Sequence, residues 1–219
     1  MNVDEALKQR ISIRAFKPDP VPEAMLRDIL DVARFAPSGG NLQPWKVIAV
    51  AGAERDAVAA LAQSNLPGDE GEKLVYPANL WEPYRSRRFK VGEDMYALLG
   101  IGRDNKGARY AHLAQNFQFF GAPVGLFFII DKGMGHGQWA HLGMFMQSVA
   151  LAALERGVQS CMQEAWARMR TPLAAHFALP DNEMIYCGMA LGYADPNAPV
   201  NSLRSDRAPV DEFATFRGF

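Results

Sequence analysis

The chain has 219 residues, and 23 Lys plus Arg against 24 Asp plus Glu leave a formal net charge of −1. That balance excludes a general nucleic-acid or polyanion binder, which needs an excess of cations. Hydrophobic residues make up 49% and charged residues 21%, so there is apolar material for a full core and no signature of disorder.

The length suits a single domain spanning 1–219 with an insertion. Cys161 and Cys187 are too few for a disulfide framework and form no CxxC pair, which points to a reducing compartment. The opening MNVDEALKQR mixes acids and bases and does not read as a secretory signal. The longest apolar run, Ala122 to Ile130, is too short to cross a bilayer. A soluble cytoplasmic protein, with no membrane and no nucleic acid as partner, is the expectation.

In chain order, residues 2–10 predict a short helix capped by Asn2. Pro22 to Phe35 predicts a second, with Leu26, Ile29, Leu30 and Ala33 on its buried face. Pro37-Ser38-Gly39-Gly40-Asn41 breaks it, Trp45 to Ala51 reads as a strand, and Glu54 to Gln63 returns to helix. From Ser64 to about Asn105 the pattern weakens. Pro67, Gly68, Gly71, Pro77 and Pro83 punctuate this stretch, and Trp81, Tyr84, Phe89 and Tyr96 interleave with Arg85, Arg87, Arg88 and Lys90. It reads as an excursion over a site or a lid.

Residues 106–120 resume helical spacing at Tyr110, Leu113, Ala114 and Phe117. Gly121-Ala122-Pro123 stops them, and Val124 to Ile130 reads as a buried strand. Residues 138–156 form the most apolar helix, ended by Gly157. Short strands follow at Val158–Met162 and Ile185–Tyr193. This order fits an α+β sandwich better than a βαβ repeat.

Common catalytic patterns are missing: no GxSxG, no GxxxxGK[ST], no GxGxxG between strand and helix. The four histidines show no metal-ligand spacing, so no metal is expected. Cys161 has no obvious base beside it and reads as a buried structural thiol. Three segments stand out. Arg10-Ile11-Ser12-Ile13-Arg14 sets two guanidinium forks around a hydroxyl, which suits a phosphate, or else a solvated helix end. The small residues of Ala36 to Trp45 let backbone amides approach a ligand, or make a plain turn. Leu203 to Pro209 adds Arg204 and Arg207 beside a fixed turn.

In this order the segments resemble the nitroreductase family of flavin-dependent oxidoreductases. RISIRAF is similar to its Arg-x-Ser-x-Arg phosphate signature, and APSGGNLQPW to its Ala-Pro-Ser, Asn and Gln-Pro-Trp segment. Phe120 to Val124, Leu191-Gly192-Tyr193 and Arg207-Ala208-Pro209 resemble the family's strand entry and end. The resemblance implies an intertwined homodimer with one FMN at each of two interface sites. It implies that Arg10, Ile11, Ser12 and Arg14 hold the FMN phosphate and ribityl chain, with Arg207 adding charge and Arg204 as a further contact. A basic residue common in the family is replaced here by Ser205. Pro37, Ser38, Gly39 and Asn41 would reach the flavin across the interface, and Asn116, or its neighbours Gln115 or Gln118, would touch the ring. Met162, Gln163 and Glu164 would face it, with the Glu164 backbone N–H at the reactive nitrogen and no catalytic side chain.

The implied activity is ping-pong hydride transfer. NADH or NADPH is the donor, and the acceptor is a nitroaromatic, nitrobenzoate-like or quinone molecule. Trp81, Tyr84 and Arg88 are the substrate candidates: the rings could stack an aromatic substrate, and Arg85, Arg87 and Arg88 could attract a carboxylate, hence a nitrobenzoate-like acid. Otherwise the arginines are solvated or paired with Glu82, Glu93 and Asp94. Other chemistry on the same fold (dehydrogenation, dehalogenation) and a non-catalytic flavin-binding protein remain the alternatives.

Overall fold

The structure is a computed structural model that describes residues 1–65 and 75–219. Pro67, Gly68 and Gly71 of the expected excursion therefore lie outside the described residues. Helix α1 spans Val3–Gln9, and Asn2 closes a capping box with Glu5: the Asn2 side chain accepts from the Glu5 N–H, and the Glu5 carboxylate accepts from the Asn2 N–H. Helix α2 spans Glu23–Ala33 behind Pro22 and buries Leu26, Ile29 and Ala33. Strand β1 is Lys46–Ala51 and helix α3 is Gly52–Ser64. Helices α4 (Tyr84–Leu98) and α5 (Lys106–Ala114) follow, and α5 runs into a 3-10 turn at Gln115–Gly121. Strand β2 (Val124–Asp131), helix α6 (His136–Glu155) and strand β3 (Gln159–Gln163) come next. A 3-10 turn at Glu164–Met169 leads into helix α7 (Arg170–His176) and strand β4 (Glu183–Gly192). The chain closes with a 3-10 turn at Pro199–Ser202 and the short helix α8 (Val210–Phe213).

The four strands form one antiparallel sheet in the order β1-β2-β4-β3. Alternation along β2 divides the core between two faces. Val124, Leu126, Phe128 and Ile130 meet Leu26 and Ile29 of α2 and Leu142, Phe145 and Val149 of α6. Phe127 and Ile129 point the other way, toward Val58 of α3, Trp166 and Leu173. Helices on both faces of one sheet make the expected α+β sandwich. In β4 the register slips: Phe128 pairs with Cys187 but Ile129 with Ile185. This bulge leaves Tyr186 unpaired and puts both Tyr186 and Cys187 on the α6 side. Two glycines let aromatic rings lie on the second face. A Cβ at Gly125 would sit 2.3 Å from the Phe119 ring, and one at Gly188 would sit 2.3 Å from Trp166.

Two expectations change. The weak pattern of 64–105 hides the 15-residue helix α4. Its apolar residues form no stripe: Tyr96 is its buried residue, and exposed ion pairs join it to the C-terminal segment, Arg87 to Glu212 at 2.5 Å and Lys90 to Asp206 at 2.9 Å. A hydrophobic period cannot report a helix attached that way. In 106–120, Tyr110 and Leu113 are exposed, at 71% and 48%. The buried residues there are Phe119 and Phe120, both at φ 52°, in the left-handed region. That conformation costs roughly 1–3 kcal/mol for such side chains and is held by the surrounding packing. No described helix is long and apolar enough to cross a membrane.

Candidate active site

The site starts where α1 stops. Arg10 is the C-cap, with ψ 119°, and the chain continues extended. Ser12 bridges Ser160 of β3 in parallel, and the Ile13 N–H donates to the Ser160 carbonyl at 3.1 Å. In extended chain alternate residues share a side. Ile13 is therefore buried, while Arg10, Ser12 and Arg14 face a small cavity of about 70 Å³. The two arginines share one side through the two-residue period of a strand and not through a helix turn. Ser205 and Arg207 close the same cavity from the other end of the chain. Asn201 joins the ends: its Oδ1 accepts from the Arg14 N–H at 2.9 Å, and its Nδ2 donates to the Ala15 carbonyl at 2.8 Å.

Among the described residues, none of Arg10, Arg14 and Arg207 forms an ion pair with a carboxylate. Burial, and then the charge of Arg207, push the Arg10 guanidinium below its ordinary pKa. Arg207 Nη1 donates to Ser205 Oγ at 2.7 Å, which holds the fork in place. Three converging guanidinium groups with no anion among them are a site for a dianion such as a phosphate. Arg204 is turned elsewhere. Its Nη1 donates to the Asn201 and Leu203 carbonyls, and it lines a separate hollow with Lys8 and Asp195.

Arg14 also lines a larger cavity of about 510 Å³. Asn116, Met162, Glu164 and Arg88 contribute to its wall. Tyr76, Met95, His112 and Phe120 were not foreseen there, and nothing local in the sequence marks them. The buried Gln163 side chain turns inward: its Nε2 donates to the Asn116 carbonyl at 2.8 Å, and its Oε1 accepts from Trp166 at 3.3 Å. That pair of bonds fixes the loop carrying Met162 and Glu164. Burial raises the Glu164 carboxyl even though the residue keeps an exposed surface. Cys161 is buried, and burial pushes its thiol up against the lowering pull of Arg14 and Ser12, which fits a structural thiol. Trp81 and Tyr84 pack edge to face at 5.5 Å, stay exposed and do not line this cavity.

Pro37, Ser38, Gly39 and Asn41 line neither cavity. They sit at the start of α6, where the Gly39 N–H donates to His141 Nδ1 at 3.3 Å and Gln138 Nε2 donates to the Gly39 carbonyl at 3.4 Å. Ser38 Oγ accepts from the Gln43 N–H at 3.0 Å, and Gly40 and Asn41 take φ 60° and 53°. The loop is built and outward-facing, with Leu42 exposed.

His112 Nε2 is buried and has no hydrogen-bond partner among the described residues. Burial, and then Arg14, lower its pKa below 6.5. The unfolded chain therefore binds the extra proton first, and stability falls as pH drops below about 6.5. His112→Phe keeps the ring contacts with Tyr96 and Phe120 and removes the unpaired nitrogen. Thermal unfolding between pH 5 and 7.5 is expected to show a flatter pH profile for the variant, with equal or higher stability at pH 7.

A small arginine-lined pocket that shares Arg14 with a larger cavity, on an antiparallel sheet between helical layers, suits an anionic ligand with a bulkier body. The chain belongs to the nitroreductase family, whose profile matches residues 7–193. It is 38% identical over 217 residues to a 4-nitrobenzoate reductase of Pseudomonas putida, covering 99% of this chain and 96% of that protein. Its fold matches the FMN and NADPH-dependent nitroreductase NfnB from Sphigopyxis sp. strain HMH, with TM-score 0.93, 41% identity and 100% of both chains covered. The FMN-dependent nitroreductase NfnB from Mycobacterium smegmatis, solved in complex with NADPH, matches with TM-score 0.88, 30% identity and coverage of 98% and 97%.

Proposed function

We propose that this protein is an FMN-dependent oxidoreductase that uses NAD(P)H to reduce nitroaromatic or quinone acceptors, as a cytoplasmic, intertwined homodimer. The observation that carries the reading is the cluster of Arg10, Arg14 and Arg207 around Ser12, opening beside the cavity bounded by Asn116, Met162 and Glu164. The redox chemistry at this site is what bound FMN supplies: hydride uptake from a nicotinamide and its delivery to an acceptor.

The chain's own residues bind and orient. The three arginines and Ser12 neutralise the phosphate. Gln163, tied to Asn116 and Trp166, holds the loop on which the Glu164 backbone N–H would serve the flavin's ring. Arg14 sets positive charge in the larger cavity, which favours a reduced, anionic occupant. Arg204 is left out of the phosphate set because it faces another hollow. Pro37, Ser38, Gly39 and Asn41 reach the flavin of a second copy. Exposed Phe35, Leu42, Tyr110, Leu113 and Met144 on this chain suit coverage by that copy. Two solved relatives described with NADPH favour NADPH over NADH as donor. Free, buried Cys161 and Cys187 fit a reducing compartment.

The experiment is an absorbance spectrum of purified protein with FMN, titrated with NADPH and then with a nitroaromatic, alongside its mass by sedimentation. Bleaching by NADPH, reoxidation by the acceptor and a mass of twice the 24.2 kDa chain are expected. A colourless protein that takes up no FMN overturns the reading. Flavin that binds but is not bleached by either nicotinamide points to other chemistry or to a non-catalytic carrier.

A further inference from the structure

We infer that Arg88, stacked on Tyr76, is the anion anchor of the acceptor cavity, so that the preferred nitroaromatic carries a carboxylate; this rests on the nitroreductase reading above. Helix α4 presents Arg85, Arg87, Arg88 and Lys90 within two turns, and the structure separates them. Arg85 turns back to Glu82 at 2.7 Å. Arg87 reaches Glu212 at 2.5 Å, and Lys90 is shared by Asp94 at 2.7 Å and Asp206 at 2.9 Å. Arg87 and Lys90 thus join α4 to the C-terminal segment, and Arg85 is taken up by a local pair at the helix start. Arg88 alone of the four lines the 510 Å³ cavity. Among the described residues no carboxylate pairs with it.

Its guanidinium lies 4.2 Å from the centroid of the Tyr76 ring, which also lines the cavity. A guanidinium held over a ring has one face shielded and can still offer its N–H edge. That edge is the part which meets a carboxylate through two parallel hydrogen bonds. Beside Arg88 and Tyr76 the wall includes Phe120 and Met95, apolar surface that suits an aromatic ring, while Met162 and Glu164 are left to the flavin. The charge agrees: among the described residues, Arg14 and Arg88 bring cations to the lining and Glu164 is its carboxylate. With Arg14 shared with the phosphate pocket, Arg88 stands at the side formed by α4 and Tyr76. An aromatic acid therefore lays its ring along the apolar wall and its carboxylate on Arg88.

The test compares wild type, Arg88→Ala and Arg88→Lys holoenzymes on 4-nitrobenzoate and on neutral nitrobenzene, each with NADPH and with NADH. The ratio of kcat/KM for the acid to that for the neutral substrate should fall roughly 10- to 100-fold in Arg88→Ala, the range of one charge-assisted hydrogen-bonded contact. Arg88→Lys should fall between, because an ammonium keeps charge but not the fork. Calorimetric titration of benzoate gives a readout independent of turnover: affinity roughly 10-fold weaker in Arg88→Ala is expected. An unchanged selectivity ratio with unchanged benzoate affinity overturns the assignment. So does a loss that follows NADPH and spares NADH whichever acceptor is used, which would give Arg88 to the nicotinamide's extra phosphate. If wild type reduced neither acceptor yet bound benzoate through Arg88, the anion anchor would stand and the reductase reading would fall.

Discussion

Arg10→Ala should bind FMN roughly 10- to 100-fold more weakly than wild type, the cost of losing one charged hydrogen-bonded contact to a phosphate. Quenching of FMN fluorescence on titration measures it. The effect is large because Arg10 is half-buried and flanked by Arg14 and Arg207 without a carboxylate between them. Before ligand arrives, the three charges repel, and Arg207 already disfavours the charged form of Arg10. Removing Arg10 therefore relieves a cost in the free protein and removes a gain in the bound one. Two observables should move apart. The free variant should unfold at or above the wild-type temperature, while the stabilisation added by a fixed FMN concentration should shrink, as linkage requires. Arg207→Ala should show the same signs with a smaller loss, since Arg207 is exposed and screened by salt. An Arg10→Ala protein with wild-type FMN affinity would remove the phosphate assignment.

Trp166→Ala should destabilise the fold by about 3–5 kcal/mol, a large part of the roughly 5–15 kcal/mol that holds a domain of this kind together. Urea unfolding followed by circular dichroism measures it. Trp166 is fully buried, and its ring packs on Phe117, Phe119 and Phe127 at 4.8–5.2 Å between centroids. It also lies over Gly188 of β4, so the space left by the indole has backbone on one side and cannot close by a side-chain shift. The indole N–H is the donor to Gln163 Oε1, and Gln163 in turn holds the Asn116 carbonyl. Trp166→Phe should separate the two roles. It keeps most of the packing but leaves Gln163 Oε1 short of a donor, a cost of about 1–3 kcal/mol. The loop bearing Met162 and Glu164 would then loosen, and FMN affinity would fall although Trp166 lines no part of the cavity. Wild-type stability in Trp166→Ala would contradict this account of the core.

Local chemistry made several features legible in the sequence. Asn2 capping, the apolar face of α2 and the all-apolar run of β2 are set by neighbours three, four or two residues away. Those periods survive in any tertiary setting. Arg10, Ser12, Arg14 and Arg207 are legible in the sequence as residue types that suit a dianion. Their geometry is not: Arg10 and Arg14 share a side because the segment is extended beside β3, and that conformation is imposed by the Ser160 backbone 146 or more positions away. Arg204 and Arg207 look equivalent in sequence, yet the fold places one in a separate hollow and the other in the pocket with Arg10 and Arg14.

The opening charge balance shows the same division. The sequence alone determined that the chain is near neutral and cannot act as a broad polyanion binder, since net charge is a sum and does not depend on folding. Only the tertiary structure decided where that neutrality breaks down. It spends Arg85, Arg87 and Lys90 on carboxylates and gathers Arg10, Arg14 and Arg207 where there are none. Pairing is a matter of distances between residues far apart in the chain, and composition carries no distances.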